Sequence, residues 1–258
     1  IATGTISGQI YMRNHPVIYM VVASSVMLND TGDNVEFVSL YNPTTCQINL
    51  LTNPAVSTSN NLKLSYYGQS GEGQDVNEFW LQHRSTFIPS GYHYLVASTG
   101  SFTWGGTPIT ADAVYGAANS PPCDLMGSIY NCIDKDKAGA IRITDVDGNA
   151  LDTLGWSNTN AGKTAPYFEG TSCARTTGIQ EGAQFFRYTS PGSGSSGTGS
   201  CYDTDNNNSN FFYSAPSING FYPMGRFSGS KPPVTGTPGA GAIVTANDGL
   251  STSVLASA

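Results

Sequence analysis

Apolar and polar residues alternate along most of this chain, and stretches with helical spacing are nearly absent. Alternation over about four to eight residues marks a strand with one buried face. On that basis strands are predicted over 4–12, 17–28, 35–41, 46–51, 61–67, 78–83, 92–98, 139–145, 150–155, 184–188 and 210–214. Turn formers stand between them: Asn29-Asp30-Thr31-Gly32, Asn53-Pro54, Pro89-Ser90-Gly91 and Asp147-Gly148-Asn149. The last lies between IRITDV and ALDTLGW and predicts a β-hairpin. Many short strands at this spacing predict an all-β sandwich. Its core is expected to hold Phe37, Leu40, Leu95, Ile141, Ile143, Leu154 and Phe185.

The pattern breaks in three places. Residues 99–138 and 157–183 are long connections rich in Gly, Pro, Ser and Asn, expected as surface decorations. Residues 189–200, TSPGSGSSGTGS, have the composition of a flexible loop. From Ser217 the chain becomes Pro/Gly-rich and ends in two alternating runs around Asn247-Asp248-Gly249, a hairpin signal. The organisation expected is therefore an N-terminal extension strand over 1–16, a β-sandwich over 17–217, and an arm over 218–258 ending in a β-hairpin. A chain of 258 residues is long enough to bury a substantial core.

Composition narrows the class. Charged residues make up 11%, against roughly 25% in ordinary soluble domains, so Ser, Thr, Asn, Gln and Gly must dress the surface. The net charge of −7 repels phosphate, which argues against nucleic acid and anionic membranes as partners. The longest apolar run, Pro16 to Leu28, is too short to span a bilayer and reads as a core strand. The chain opens at Ile1 without Met or a basic, apolar leader, which suggests a processed, secreted form at the cell surface or outside the cell.

Five cysteines agree with an oxidising compartment. Cys123 and Cys132 bracket one irregular insert, and Cys173 and Cys201 bracket a Gly/Ser-rich excursion, so these are the two expected disulfides. Each closure would remove roughly 3 kcal/mol of unfolded-state entropy in the simplest chain treatment. Cys46, between a turn and Ile48 and Leu50, is expected to be a small buried thiol. No C-x-x-C occurs, which excludes zinc, dithiol redox and c-type haem patterns.

Five ordered blocks carry a family resemblance: VEFVSLYNPT at 35–44, FIPSGYHYLVAST at 87–99, AGAIRITDVDGNALDTLGWSN at 138–158, EGAQFFRY at 181–188 and DTDNNNSNF at 203–211. Together they resemble the lamin tail domain family in its bacterial and archaeal extracellular type. The resemblance implies an immunoglobulin-like β-sandwich with long loop insertions and terminal strand extensions. The pattern departs at Ser39, where the family usually carries an acid, and around 51–62, where its Gly-Trp is missing. Such a fold has no built-in active site.

Candidate chemistry is sparse. Asp203, Asp205 and Asn206, with Asn208, have the oxygen-rich look of a calcium loop, but the EF-hand Gly and Glu are absent. The competing reading is that Asp203 and Asp205 accept backbone N–H bonds and pin the start of the final strand. Asp145, Asp147 and Asp152 flank a tight turn, where Asp is ordinary turn chemistry. His15, His83 and His93 fall on separate strands, and no nucleophile elbow or His-Glu-x-x-His motif occurs. No catalytic residue is therefore assigned, and no cofactor beyond that calcium reading. Trp80 and Trp156 are expected in the core, whereas Trp104, in SFTWGGTP, is a candidate loop platform for a sugar ring. Asn29 and Asn207 begin glycosylation sequons.

The leading expectation is a non-enzymatic extracellular subunit that assembles with copies of itself as a filament, pilus-like fibre or surface layer. Its contacts would be β strands from the two ends, with Ile6, Ile10, Ile243, Val244, Leu250 and Val254 buried. The alternative is a secreted or cell-surface adhesion module that recognises a glycan or protein ligand through loops 99–138 and 157–183. An accessory domain of a secreted hydrolase ranks last.

Overall fold

The hairpin predicted around Asp147-Gly148-Asn149 forms, and its turn shows why. In the computed structural model, the Asp145 carboxylate accepts the backbone N–H groups of Asp147 (2.9 Å) and Asn149 (2.8 Å), and Gly148 supplies the left-handed φ of 84°. The structure describes residues 16–22, 36–44, 46–50, 62–70, 73–80, 82–83, 87–98, 100–104, 107–114, 133, 137–145, 147–180, 182–188 and 203–214.

Within these residues the fold is all-β. The strands, in chain order, are β1 (Val17–Val22), β2 (Phe37–Tyr41), β3 (Ile48–Asn49), β4 (Lys63–Ser70), β5 (Gly73–Trp80), β6 (Gln82–His83), β7 (Phe87–Ile88) and β8 (His93–Ala97). They continue with β9 (Ser101–Trp104), β10 (Thr107–Thr110), β11 (Ala113–Val114), β12 (Ala138–Thr144), β13 (Ala150–Trp156), β14 (Gln184–Arg187) and β15 (Phe211–Ser214). One helical turn, α1 (Asn207–Asn210), leads into β15. Among the described residues no helix is long and apolar enough to cross a membrane.

Seven strands form one sheet in the order β15-β14-β1-β2-β8-β11-β6, with β11 parallel to β8. Four form a second in the order β13-β12-β4-β5. The first sheet contributes Ile18, Val38, Leu40, Tyr94, Val96 and Phe185 to a shared core; the second contributes Leu64, Tyr66, Ile141, Ile143, Leu154 and Trp156. Period-2 alternation produces this division, since the register sets Ile141 opposite Leu154 and Tyr66 on one face. Trp156 anchors the interface, 5.6 Å from the Phe185 ring and 6.3 Å from Tyr66 between centroids.

Phe37 and Leu95, expected in that core, lie instead on the opposite face of the seven-stranded sheet, with Val17, Tyr19 and Phe186. The reason is geometric: Phe37 and Leu40 are three residues apart, so a regular strand points them to opposite faces. Strands β9 and β10 pair as a hairpin and cover this second apolar face with Phe102, Trp104 and Ile109. The segment 99–138 is therefore not merely a surface decoration. Trp104 is fully buried, with its ring 5.3 Å from that of Phe37, and is no sugar platform. Trp156 lies in the core as expected. The terminal segments 1–15 and 218–258, with Ile6, Ile10, Ile243, Val244, Leu250 and Val254, lie outside the described residues.

If the β9–β10 hairpin belongs to the core, Trp104→Ala should cost about 3–5 kcal/mol, as for other buried Trp truncations. Urea denaturation measures it. A loss below about 1 kcal/mol would return the hairpin to the surface.

Candidate functional site

A guanidinium out of reach of water must be paired and hydrogen-bonded, or its burial is prohibitive. Arg187 meets that requirement at the end of β14. Alternation along QFFR sends Phe185 and Arg187 to the inner face together, and Arg187 is only 1% exposed. Its Nη2 donates to both carboxylate oxygens of Asp152 (2.8 and 2.6 Å), and Nη1 lies 3.2 Å from Asp203 Oδ1. Its Nε donates to the Ile18 carbonyl (2.7 Å), and Phe211 lies under the guanidinium plane at 4.4 Å. The Ile18 N–H donates in turn to Asp152 Oδ2 (2.5 Å). The β1–β14 ladder reads Met20↔Phe186 as its rung nearest Arg187. Beyond it, side chains of Asp152 and Arg187 take the backbone groups of Ile18.

Asp203 is held just as firmly. Its Oδ1 accepts Asn210 Nδ2 (2.9 Å) and the Asp205 N–H (3.2 Å). Asp203 is thus buried on Arg187 while Asp205 is exposed, so the calcium set of Asp203, Asp205 and Asn206 is divided between core and surface. The Asp203 carboxylate accepts one backbone N–H, that of Asp205, and otherwise meets the side chains of Asn210 and Arg187. Asp152, from the turn region, also faces inward and has left Asp145 and Asp147 behind on the hairpin tip.

A third acid completes the cluster. Glu169, on the irregular segment after β13, places a carboxylate oxygen within 4.8 Å of those offered by Asp152 and Asp203. One guanidinium cannot neutralise three carboxylates. Burial, then the charges of Asp152 and Asp203, push the Glu169 carboxyl up to about 8, with Arg187 opposing. Burial works against the charged form of Arg187, but Asp152, Asp203 and Glu169 outweigh it and raise its pKa. The direction of that shift favours the protonated form of Glu169, beside the ion pairs that Arg187 makes with Asp152 and Asp203. Side chains of Asp152, Asp203 and Arg187 are essentially closed to solvent, so no substrate reaches them without the fold opening.

Around the cluster, side chains close the outer edge of β13. Glu169 Oε1 accepts the Thr153 N–H (3.0 Å). The Asn207 carboxamide accepts the Gly155 N–H (2.8 Å) and donates to the Thr153 carbonyl (2.6 Å). The Cys173 N–H donates to the Gly155 carbonyl (2.8 Å). Gly155 is required because a Cβ there would come within 2.0 Å of the Tyr167 carbonyl oxygen as the segment crosses.

These contacts bear on three expectations. Cys173 is a free, buried thiol that donates to the Asn207 carbonyl (3.4 Å), and Cys201, its expected disulfide partner, lies outside the described residues. Burial pushes its pKa up to about 12, against Arg175 and Arg187. Cys46 is exposed rather than buried, because Asn42 and Thr44 bond its carbonyl and turn the residue outward. Asn207 is fully buried with its Nδ2 committed to Thr153, so it is no glycosylation acceptor. Cys123, Cys132, Cys201 and Asn29 lie outside the described residues, as does His15. His93 sits on the second apolar face between Tyr19 (4.5 Å) and Tyr41 (4.9 Å), neither ring nitrogen in hydrogen-bonding geometry. Burial brings its pKa down to about 3, the Leu40 backbone offsetting little.

Glu169 and Arg187 were not singled out as site residues by sequence reasoning. Arg187 had a signal: in a chain with 11 Lys and Arg, one falls in phase with Phe185 and demands a buried acid. Comparison with protein-family models, curated proteins and solved structures returns no match.

Arg187→Ala should cost about 3–5 kcal/mol, because Asp152 and Asp203 lose their counter-charge in a buried site. Arg187→Lys should recover only part, since one ammonium cannot serve Asp152, Asp203 and Ile18 together. Denaturant titration checks both, and a loss below about 1 kcal/mol for the Ala variant would contradict the pairing.

His93 titrates below its unfolded value of about 6.5. Its contribution to stability is therefore present above that pH and lost as pH falls from 6.5 towards 3. His93→Phe should show a flatter acid limb than the parent in stability–pH curves. Parallel curves would contradict this.

Proposed function

We propose that this chain is a lamin-tail-like subunit of immunoglobulin-like β-sandwich type, extracellular and non-enzymatic, that assembles with copies of itself. The observation that carries this reading is where the resemblance blocks meet. Asp152 comes from the block at 138–158, Arg187 from that at 181–188, and Asp203 from that at 203–211, and all three join in one buried ion cluster. Their polar groups are used in holding sheets together, which supports a scaffold more than a reaction centre. The terminal segments would supply strands that complete a neighbour's sheet edge. Calcium plays no part in this reading.

A second reading has one observation in its favour. Tyr167 and Phe168 are 37% and 47% exposed on the 157–183 connection, with the Arg142 guanidinium 4.4 Å from the Tyr167 ring. Exposed aromatics beside an arginine suit a glycan or protein ligand.

One experiment separates the two. Deleting 239–258 should leave a folded protein that no longer forms the polymers the full chain forms, read by sedimentation velocity and electron microscopy. Polymers that persist unchanged after deletion remove the arm from assembly. A full chain that stays monomeric at every concentration, with a glycan-array signal lost in Phe168→Ala, favours the binding module instead.

A further inference from the structure

The edge of β13 is closed in an unusual way. It is the last strand of the four-stranded sheet, yet its outward backbone groups are taken by the Glu169 carboxyl, the Asn207 carboxamide and the Cys173 backbone rather than by another strand. The Asn207 amide engages the Gly155 N–H and the Thr153 carbonyl together, the donor and acceptor that a neighbouring peptide would engage. The two closing segments are joined to each other: the Glu169 N–H donates to Asn207 Oδ1 (3.2 Å), and the Asn207 N–H to the Glu169 carbonyl (3.0 Å). Both segments end in the ion cluster.

We propose that residues 165–173, with Asn207, form a latch over the outer edge of β13, shut while Glu169 is protonated and released when Glu169 ionises. The geometry supplies the force. Ionisation gives the proton to solvent and sets a third negative charge within 4.8 Å of Asp152 and Asp203. The charged groups facing Glu169 are Asp152 from β13, Asp203 and Asp205 from the segment before α1, and Arg187 from β14; Arg175 follows on its own segment. Among the described residues Arg187 is the one cation acting on Glu169, and Asp152 and Asp203 already engage it. Glu169 Oε2 is buried without a hydrogen-bond partner, so the new charge would rest on the Thr153 N–H at Oε1 and on the already engaged Arg187. Moving the carboxylate to water relieves the repulsion and withdraws its bond from Thr153, and the Glu169–Asn207 contacts pass the movement to Gly155. The freed groups of Thr153 and Gly155 would form an edge open to an extended strand.

The sign follows from the direction of the shift. Glu169 titrates above its unfolded value of about 4.5. Its contribution to the closed state is therefore complete below that pH and lost as pH rises through about 8.

Amide hydrogen exchange on the full chain at about pH 6.5 and about pH 9, corrected for intrinsic rates, tests this directly. Protection at Thr153 and Gly155 should fall about tenfold or more, while Ile141 and Ile143 in β12 keep theirs. Glu169→Gln should hold its protection across the same range. Unchanged protection in the parent would overturn the proposal, as would an equal loss in Glu169→Gln or a uniform loss at β12. Should Glu169→Gln fail to fold, the carbon-13 carboxyl titration of Glu169 in the parent decides. A midpoint near 8 that coincides with the loss of protection sustains the latch, and a midpoint elsewhere or without coincidence removes it.

Discussion

The buried charge of Arg187 is the constraint on which the two-sheet arrangement turns. Hydrophobic packing between β-sheets is non-directional, and many sliding positions bury similar apolar area. A guanidinium closed to water tolerates few of them, because its fork must meet acceptors in plane and at hydrogen-bond distance. Asp152 from the facing sheet, Asp203 from the approach to β15, and the Ile18 carbonyl from β1 are those acceptors. Each belongs to a different stretch of chain, so one side chain fixes β1, β13, β14 and the segment before β15 together. Against a well-packed apolar replacement such a network need not add stability. Its directional hydrogen bonds restrict how the two sheets can be offset.

The second constraint is that the seven-stranded sheet is apolar on both faces. An antiparallel sheet commonly leaves one face to water and alternates accordingly. Strands β2 and β8 are buried at every position, so a second layer must cover the outer face. The β9–β10 hairpin is that layer, with Trp104 and Phe102 against Phe37. The burial of His93 on this face belongs to the same economy: a partly polar ring is accepted between two tyrosines, and its charged form is given up.

Legibility in the sequence followed how local each determinant is. The β12–β13 hairpin was readable because alternation and an Asp-Gly turn lie within twenty residues of each other. The second face was not, since FVSLY and HYLVA are apolar at nearly every position and alternation then loses its power to assign faces. The β9–β10 hairpin hid behind Pro108 and two four-residue runs, although Gly105-Gly106 between them was a turn signal. In the site, Asp152 and Asp203 were noticed for calcium or turn chemistry, and their true partner lay 35 residues from Asp152 in sequence. Glu169 sits in an irregular segment where no periodicity assigns a face. Its burial depends on the path of the chain over Gly155, which only the tertiary fold decides.

Edge control links these observations to any role in assembly. A sheet edge with free backbone groups pairs with whatever strand arrives, and proteins that assemble specifically must close the edges they do not use. Covering an edge with another strand only moves the problem outward by one strand. Closing it with side chains ends the ladder, because a carboxyl and a carboxamide satisfy the backbone without presenting a new strand edge. At Thr153 and the Gly155 N–H, β13 is closed in that second way by Glu169 and Asn207, while the Cys173 backbone takes the Gly155 carbonyl and the Ser157 N–H. A subunit that joins its neighbours by strand addition gains directionality from such a closure, since incoming strands are left fewer places to add. Glu169, beside the two acids that bind Arg187, thereby limits where a further strand could add to β13.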